Sequence, residues 1–321
     1  MKLLPAAALG ALLTLGLAAC GAAPETAQPA ADPFRVVTHA MGETTIPAEP
    51  KRVVALDQSF VDAVLTLETD VVGFTTYRAI TDGLPEYLDP LVATHGREAV
   101  SVGELMEPSL EQISALKPDL ILSAKVRHED LYDELSQIAP TVFSETTGAI
   151  WKDNLRLTGQ ALGKEQLADT RIAEYEQRAA TIGTQIREAS GGTPPTVSVV
   201  RFTDEATVRL YTENSYSGVV LADVGLPRPA NSPTSDKILV DLSEERTLDL
   251  DADHIFVATY PDPNTEAPKA KFVSNPLWGR LQGTQHDVSD LVWMSAVGLQ
   301  GAHTMLDDLA GFFAVDPARG A

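Results

Sequence analysis

Glu111-Gln-Ile-Ser-Ala-Leu-Lys-Pro-Asp119-Leu-Ile-Leu122 and Glu245-Arg-Thr-Leu-Asp-Leu-Asp-Ala-Asp253-His-Ile-Phe256 are two versions of one pattern. The spacing from acid to Asp is equal in both, and a short apolar run follows each Asp. A strand-forming unit that recurs in this way predicts two related α/β lobes with corresponding parts facing the same direction. Around the first copy, Val53-Val54-Ala55-Leu56 and Val71-Val72-Gly73-Phe74 are apolar runs suited to buried strands. Between them Phe60, Val61, Val64, Leu65 and Leu67 follow a helical pattern. Ser109 is placed to cap a helix that buries Leu110, Ile113 and Leu116, and Pro118 stops it before the strand Asp119 to Ser123. Ahead of all this, Val36 to His39 and Thr44 to Ile46 predict a hairpin around Met41-Gly42.

The stretch from Trp151 to Ser190 has no proline and places Leu155, Leu162, Leu167, Ile172, Tyr175, Ala179, Ile182 and Ile186 at roughly helical spacing. Gly163 divides it into a short helix and a long one, and Gly191-Gly192-Thr193-Pro194-Pro195 ends it. At ~1.5 Å per residue, a helix of about twenty-five residues spans ~37 Å, enough to join two small domains. Strand and helix then alternate again. Thr196 to Phe202 is a strand, Thr207 to Tyr211 its hairpin partner, Tyr216 to Val224 a helix and Ile255 to Ala258 a strand. The expected class is α/β, two Rossmann-like lobes joined by one long helix.

Composition narrows the function. The 321 residues are 44% hydrophobic and 21% charged, which suits a folded globular chain. Lys and Arg total 24 against 45 Asp and Glu, a formal charge of −21, which repels phosphate and argues against nucleic acid as a partner. A single cysteine excludes an internal disulfide and any Cys-rich metal site. Gly-x-Ser-x-Gly, His-Glu-x-x-His, the Walker phosphate loop and Gly-x-Gly-x-x-Gly are all absent, so no motif argues for an enzyme. The six histidines (His39, His95, His128, His254, His286 and His303) show no paired metal-site spacing.

At the start, Lys2 precedes an uncharged stretch from Leu3 to Ala19 broken by Pro5, Gly10 and Gly16, which reads as a signal peptide. Leu17-Ala18-Ala19-Cys20-Gly21 resembles the bacterial lipobox, which implies cleavage before Cys20 and lipid attachment to its sulfur. Gly21 to Pro33 is rich in Ala, Pro, Glu, Gln and Thr and reads as a flexible spacer. The expected organisation is a signal peptide at 1–19, an anchor linker at 20–33, an N-terminal lobe at 34–155, a connecting helix region at 156–190 and a C-terminal lobe at 191–321.

Several segments resemble the iron-siderophore substrate-binding proteins of ABC importers. They are Pro50-Lys51-Arg52-Val53-Val54-Ala55-Leu56-Asp57, Val102-Gly103 through Leu122, Ser136 through Val142, Leu221 through Pro227, Asn275-Pro276-Leu277-Trp278 and Leu306-Asp307-Asp308-Leu309. Together they run from about residue 34 to the end. The resemblance implies a ligand cleft between two lobes, no catalytic turnover, and delivery of a ferric siderophore to ABC permease subunits by a monomer tethered outside the cytoplasm. No cofactor is implied, since iron arrives inside the siderophore. The wider family includes haem and cobalamin binders, which remain the alternative, as does binding of another metal chelate.

Ser123-Ala124-Lys125-Val126-Arg127-His128-Glu129 with Leu131-Tyr132-Asp133 resembles the subgroup that binds hydroxamate or citrate-type siderophores, which places an arginine just beyond this strand. Arg outnumbers Lys by 15 to 9, and its planar fork suits oxygen-rich chelates. Ligands of open α/β sheets bind beyond the carboxyl ends of strands. Arg78, Arg127, Arg201 and Arg209 occupy such places and are expected to gather into a positive pocket; a solvated or salt-bridged role is the alternative for each. Tyr211, Tyr216 and Trp293 are expected to wall it, each presenting flat apolar area with a donor at one edge, with core packing as their alternative. Tyr260 is a weaker candidate, and Lys125 and His128 are expected at the surface or behind the site. Glu111 and Glu245, at matching places in the repeat, are implied by the resemblance to pair with arginines of the permease.

Overall fold

Apolar runs that are buried on both faces make the central strands of two separate sheets. The computed structural model describes residues 32–77 and 83–319. Strands β1 (Arg35–His39) and β2 (Gly42–Ile46) form the antiparallel hairpin. A six-stranded sheet follows from β3 (Val53–Ala55), β4 (Val71–Thr76), β5 (Val100–Glu104), β6 (Glu107–Pro108), β7 (Leu120–Ala124) and β8 (Thr141–Ser144), in the order β6-β5-β4-β3-β7-β8. All its pairings are parallel except β5 with β6. Every residue of β3, β7 and β8 is buried, as expected of parallel strands covered by helices on both sides.

The second sheet comprises β9 (Val197–Phe202), β10 (Val208–Tyr211), β11 (Leu239–Leu242), β12 (His254–Thr259) and β13 (Thr284–Val288), in the order β11-β10-β9-β12-β13. Here β9, β12 and β13 run parallel, while β10 and β11 are antiparallel additions at one edge.

The sequence repeat has a structural counterpart. Asp119 stands just before β7, and its carboxylate accepts the backbone N–H of Lys51 and Arg52 just ahead of β3. Asp253 stands just before β12, and its carboxylate accepts the N–H and hydroxyl of Thr196 just ahead of β9. Each Asp therefore clips the first strand of its sheet to the neighbouring strand. The helical parts differ. Ser109 caps the α-helix Leu110–Ala115, whereas Glu245 lies in a 3-10 turn, Glu244–Leu250.

Between the sheets runs the helix Trp151–Leu162, closed by Gly163 at a left-handed φ of 69°, and then the 25-residue helix Glu165–Ala189. The buried stripe of the long helix is Ala168, Ile172, Tyr175, Ala179, Ile182 and Ile186, spaced four and three in alternation. It packs on the helix Tyr216–Val224 at very short range: a Cβ at Gly183 would fall 1.8 Å from the Val224 carbonyl oxygen.

From Pro33 onward both sheets belong to one compact unit. The last helix, Leu299–Phe312, does not stay with the second sheet alone. It packs on the long helix and on Gln58–Thr66 of the first lobe. There the buried Asp62 carboxylate accepts the backbone N–H of Gln300 at 3.0 Å and of Gly301 at 3.3 Å, capping the helix from the opposite lobe. A Cβ on Gly298 would sit 2.3 Å from the Asp62 Cγ, so glycine is needed for the approach. Burial pushes the Asp62 carboxyl up to about 7, against the pull of these N–H donors. Among the described residues no helix is long and apolar enough to cross a membrane.

Candidate functional site: an arginine-lined cleft between the lobes

The carboxyl ends of both sheets face one cavity of about 340 Å³. From the first lobe come Tyr77 after β4, Val126 and Arg127 after β7, and Thr146, Thr147 and Gly148 after β8. From the second come Arg201, Arg209, Tyr211, Ser215, Tyr216, Ser217, Ile238, Leu239, Trp293, Met294 and Val297. Arg127, Arg201, Arg209, Tyr211, Tyr216 and Trp293 are thus brought together by the fold, whereas Arg78 lies outside the described residues, as does Cys20. Three larger cavities are less suited. One of about 480 Å³ lies within the second lobe alone, under the turn Gly225 to Ser232, one of about 420 Å³ lies at the opposite end of the same lobe around Thr196 and Asp253, and one of about 720 Å³ lies beside the long and last helices. None of the three gathers cations from the strand ends of both lobes.

Arg127, Arg201 and Arg209 each already have an acidic partner, so the salt-bridged alternative applies to all three and their charges are compensated. The Nε of Arg127 donates to Asp57 at 3.0 Å, and its Nη2 lies 3.4 Å from the Thr147 hydroxyl. Asp57 is itself the N-cap of Gln58–Thr66, accepting the N–H of Ser59 at 3.0 Å and its hydroxyl at 2.8 Å. Arg201 makes a two-pronged pair with Asp290, Nε to Oδ1 at 2.5 Å and Nη2 to Oδ2 at 2.8 Å. Its Nη1 lies 3.4 Å from the Tyr211 hydroxyl, and the Tyr260 ring lies 5.5 Å from its guanidinium carbon. Burial works against the Arg201 charge, but Asp290 outweighs it and holds the pKa above the ordinary arginine value.

Arg209 faces Arg201 directly across the β9–β10 register. Two cations in that position repel, so counter-ions are needed. Glu205 supplies one to Arg209 at 2.7 Å, with Asp241 at 4.0 Å. Burial disfavours the Arg209 charge as well, and Glu205 raises its pKa nonetheless.

The aromatic wall also differs from expectation in where its donors point. The Trp293 indole N–H donates to Asp308 at 2.8 Å, and the Tyr216 hydroxyl donates to the Gly298 carbonyl at 2.8 Å. Both donors are taken up by the protein and both rings are almost wholly buried, Trp293 at 0% and Tyr216 at 4% exposure, so they back the cleft as core packing, the alternative stated for them. Lys125 lies 3.9 and 3.6 Å from Glu129 and Glu145, and His128 is buried between the Ser123 hydroxyl and the Leu105 carbonyl. His254 and His286, remote in sequence, meet across β12 and β13 with ring nitrogens 2.8 Å apart. Among the described residues no three His, Cys, Asp or Glu side chains converge as metal ligands. Glu111 and Glu245 are both exposed.

Sequence reasoning did not assign a role to Asp57, Asp290 or Glu205. Asp57 was findable, because an acid between an apolar strand and a helix is an N-cap position. Nothing local marks Asp290, whose partner is 89 residues away.

Comparison with known proteins agrees with this geometry. Residues 53–287 match the family described as periplasmic binding protein. The chain belongs to the periplasmic binding protein family. Among relatives of this family, the probable siderophore-binding lipoprotein YfiY of Bacillus subtilis is 36% identical over 87% of this chain and 87% of its own length. The Fe(3+) dicitrate-binding periplasmic protein FecB of Escherichia coli is 28% identical over 88% of this chain and 94% of its own. Among solved periplasmic binding protein structures, Staphylococcus aureus SirA complexed with staphyloferrin B superposes with a TM-score of 0.77 at 31% identity, covering 88% of this chain and 99% of that one.

Proposed function

We propose that this chain is an extracytoplasmic solute-binding protein that captures a ferric siderophore of hydroxamate or citrate type and delivers it to an ABC importer. The observation that carries the reading is the placement of Arg127, Arg201 and Arg209, from both lobes, around one cleft at the strand ends. Guanidinium N–H groups left free by the acidic partners suit the outer oxygens of such a chelate, and the rings and aliphatic side chains suit its hydrocarbon. The siderophore fills the coordination sphere of its iron, so the protein need not ligate the metal. The names and bound ligands of the relatives support the same reading, as does the solute-binding character of the family, which involves no turnover.

Cys20 is the attachment point for a lipid in this proposal, and Glu111 and Glu245, exposed at corresponding places in the two lobes, contact the permease. The chain acts as a monomer. Titration of intrinsic fluorescence with a panel of ferric hydroxamate and ferric citrate-type siderophores tests the central assignment. Quenching that saturates at micromolar ligand or below is expected, and a panel without any response defeats it. For the docking assignment, Glu111→Ala combined with Glu245→Ala should reduce uptake by cells while leaving the titration unchanged; normal uptake removes both residues from the interface.

A further inference from the structure

Cations alone do not describe the cleft. Arg127 is held by Asp57, Arg201 by Asp290 and Arg209 by Glu205. Formally the described cations and their partners cancel. Two of the partners are fixed. Asp290 is buried and engages Arg201 through both oxygens, and Asp57 is buried and tied to the start of a helix. An incoming ligand cannot swing either carboxylate out to water without leaving a buried charge unpaired. Glu205 is about half exposed and can be displaced. Beyond the cleft, the whole chain carries a formal charge of −21, so a strongly anionic ligand meets repulsion at long range and finds no net attraction at contact to offset it.

What remains after this cancellation is direction. The carboxylates occupy the Nε side of Arg127 and Arg201, which orients each planar fork and leaves Nη1 without a carboxylate partner. Around these donors the lining is apolar at Ile238, Leu239, Met294 and Val297.

We propose that Asp57 and Asp290 are positioning residues that set the ligand's charge class: the cleft takes a ferric chelate that is uncharged or singly negative, read by directed N–H groups, and rejects a highly anionic one. This deepens the siderophore reading and rests on it. Complementarity of charge governs selectivity more than raw affinity, so the test measures ratios.

Three ferric probes cover the range: a trishydroxamate complex, which is uncharged; a citrate–bishydroxamate complex, singly negative; and a triscatecholate complex, triply negative. Fluorescence titration of the full chain at low and high salt is expected to rank the first or second at least tenfold tighter than the third, with little change on adding salt. In Asp290→Asn, the uncovered Arg201 charge should shift the ratio towards the triscatecholate by about tenfold and make its binding more sensitive to salt. A structural role alone would weaken all three probes equally, and that outcome overturns the assignment. Should Asp290→Asn fail to fold, Asp57→Asn makes the same test from the other lobe. Tightest binding of the triscatecholate by the unaltered chain overturns the charge class and leaves the siderophore reading intact. Binding of none of the probes overturns the siderophore reading and this inference with it.

Discussion

Arg127 and Arg201 stand on opposite walls of one cleft, but their lobes hold them differently. Arg127 sits on a short helical turn after β7, with its side chain 29% exposed and one contact to a carboxylate that other groups also satisfy. Arg201 is part of β9 itself, 6% exposed, and locked through two hydrogen bonds to an Asp290 that is 4% exposed. The first lobe presents its cation from a short helical turn beyond a strand, and the second builds its cation into the sheet. Loss of the first should therefore register mainly in binding, and loss of the second in folding as well.

Arg201→Ala gives the largest effect. It leaves Asp290 buried without its cation, which should cost about 3–5 kcal/mol of stability in addition to weakening binding. Urea denaturation checks the first, and a loss below about 1 kcal/mol would erase the contrast between the lobes.

Asp62, the first-lobe carboxylate that caps the last helix, gives the next effect. Its folded-state pKa is raised from 3.8 to about 7, with burial as the leading cause. Between those values the folded chain holds a proton that the unfolded chain has released. The contribution of Asp62 to stability therefore falls as pH rises through that window, by up to about 1.4 kcal/mol per pH unit, while His303, whose pKa burial lowers to about 4, contributes with the opposite sign below its ordinary value. Asp62→Asn should remove the falling part and leave stability rising more steeply with pH, and an unchanged pH profile places the titrating group elsewhere. This variant sharpens the comparison, since it tests the joint between the lobes and neither wall of the cleft.

Arg127→Ala gives the smallest change in stability, about 1 kcal/mol or less, because Asp57 keeps its bonds to Ser59. Affinity for the ferric ligand should fall at least tenfold in the same variant. Equal affinity would remove Arg127 from the site, and a loss of stability matching that of Arg201→Ala would show that both walls are built alike.

Much of the fold was legible in residue order. Apolar runs marked the buried strands, Gly163 and the Gly191-Gly192 pair marked the ends of the two central helices, and the spacing around Asp119 and Asp253 marked the repeat. The antiparallel pairing of β10 with β9 was legible for the same local reason, two strand-like runs separated by a short turn. The cleft was legible only in part. A residue after a strand can be assigned to the ligand-facing edge of a sheet from sequence, and Arg127, Arg201 and Arg209 lie there. The direction of a donor cannot, which is why Trp293 and Tyr216 line the cavity while giving their N–H and O–H to Asp308 and Gly298.

The sequence by itself determined two α/β lobes, a long helix between them and arginines at the strand ends, because burial periodicity and chain-breaking residues act over a few positions. Only the tertiary structure decided the electrical character of the cleft and the tie between the lobes. Asp57 meets Arg127 across 70 residues, Asp290 meets Arg201 across 89, and Asp62 meets the last helix across 238. Electrostatic pairing depends on distance in space, and separation along the chain carries no record of it.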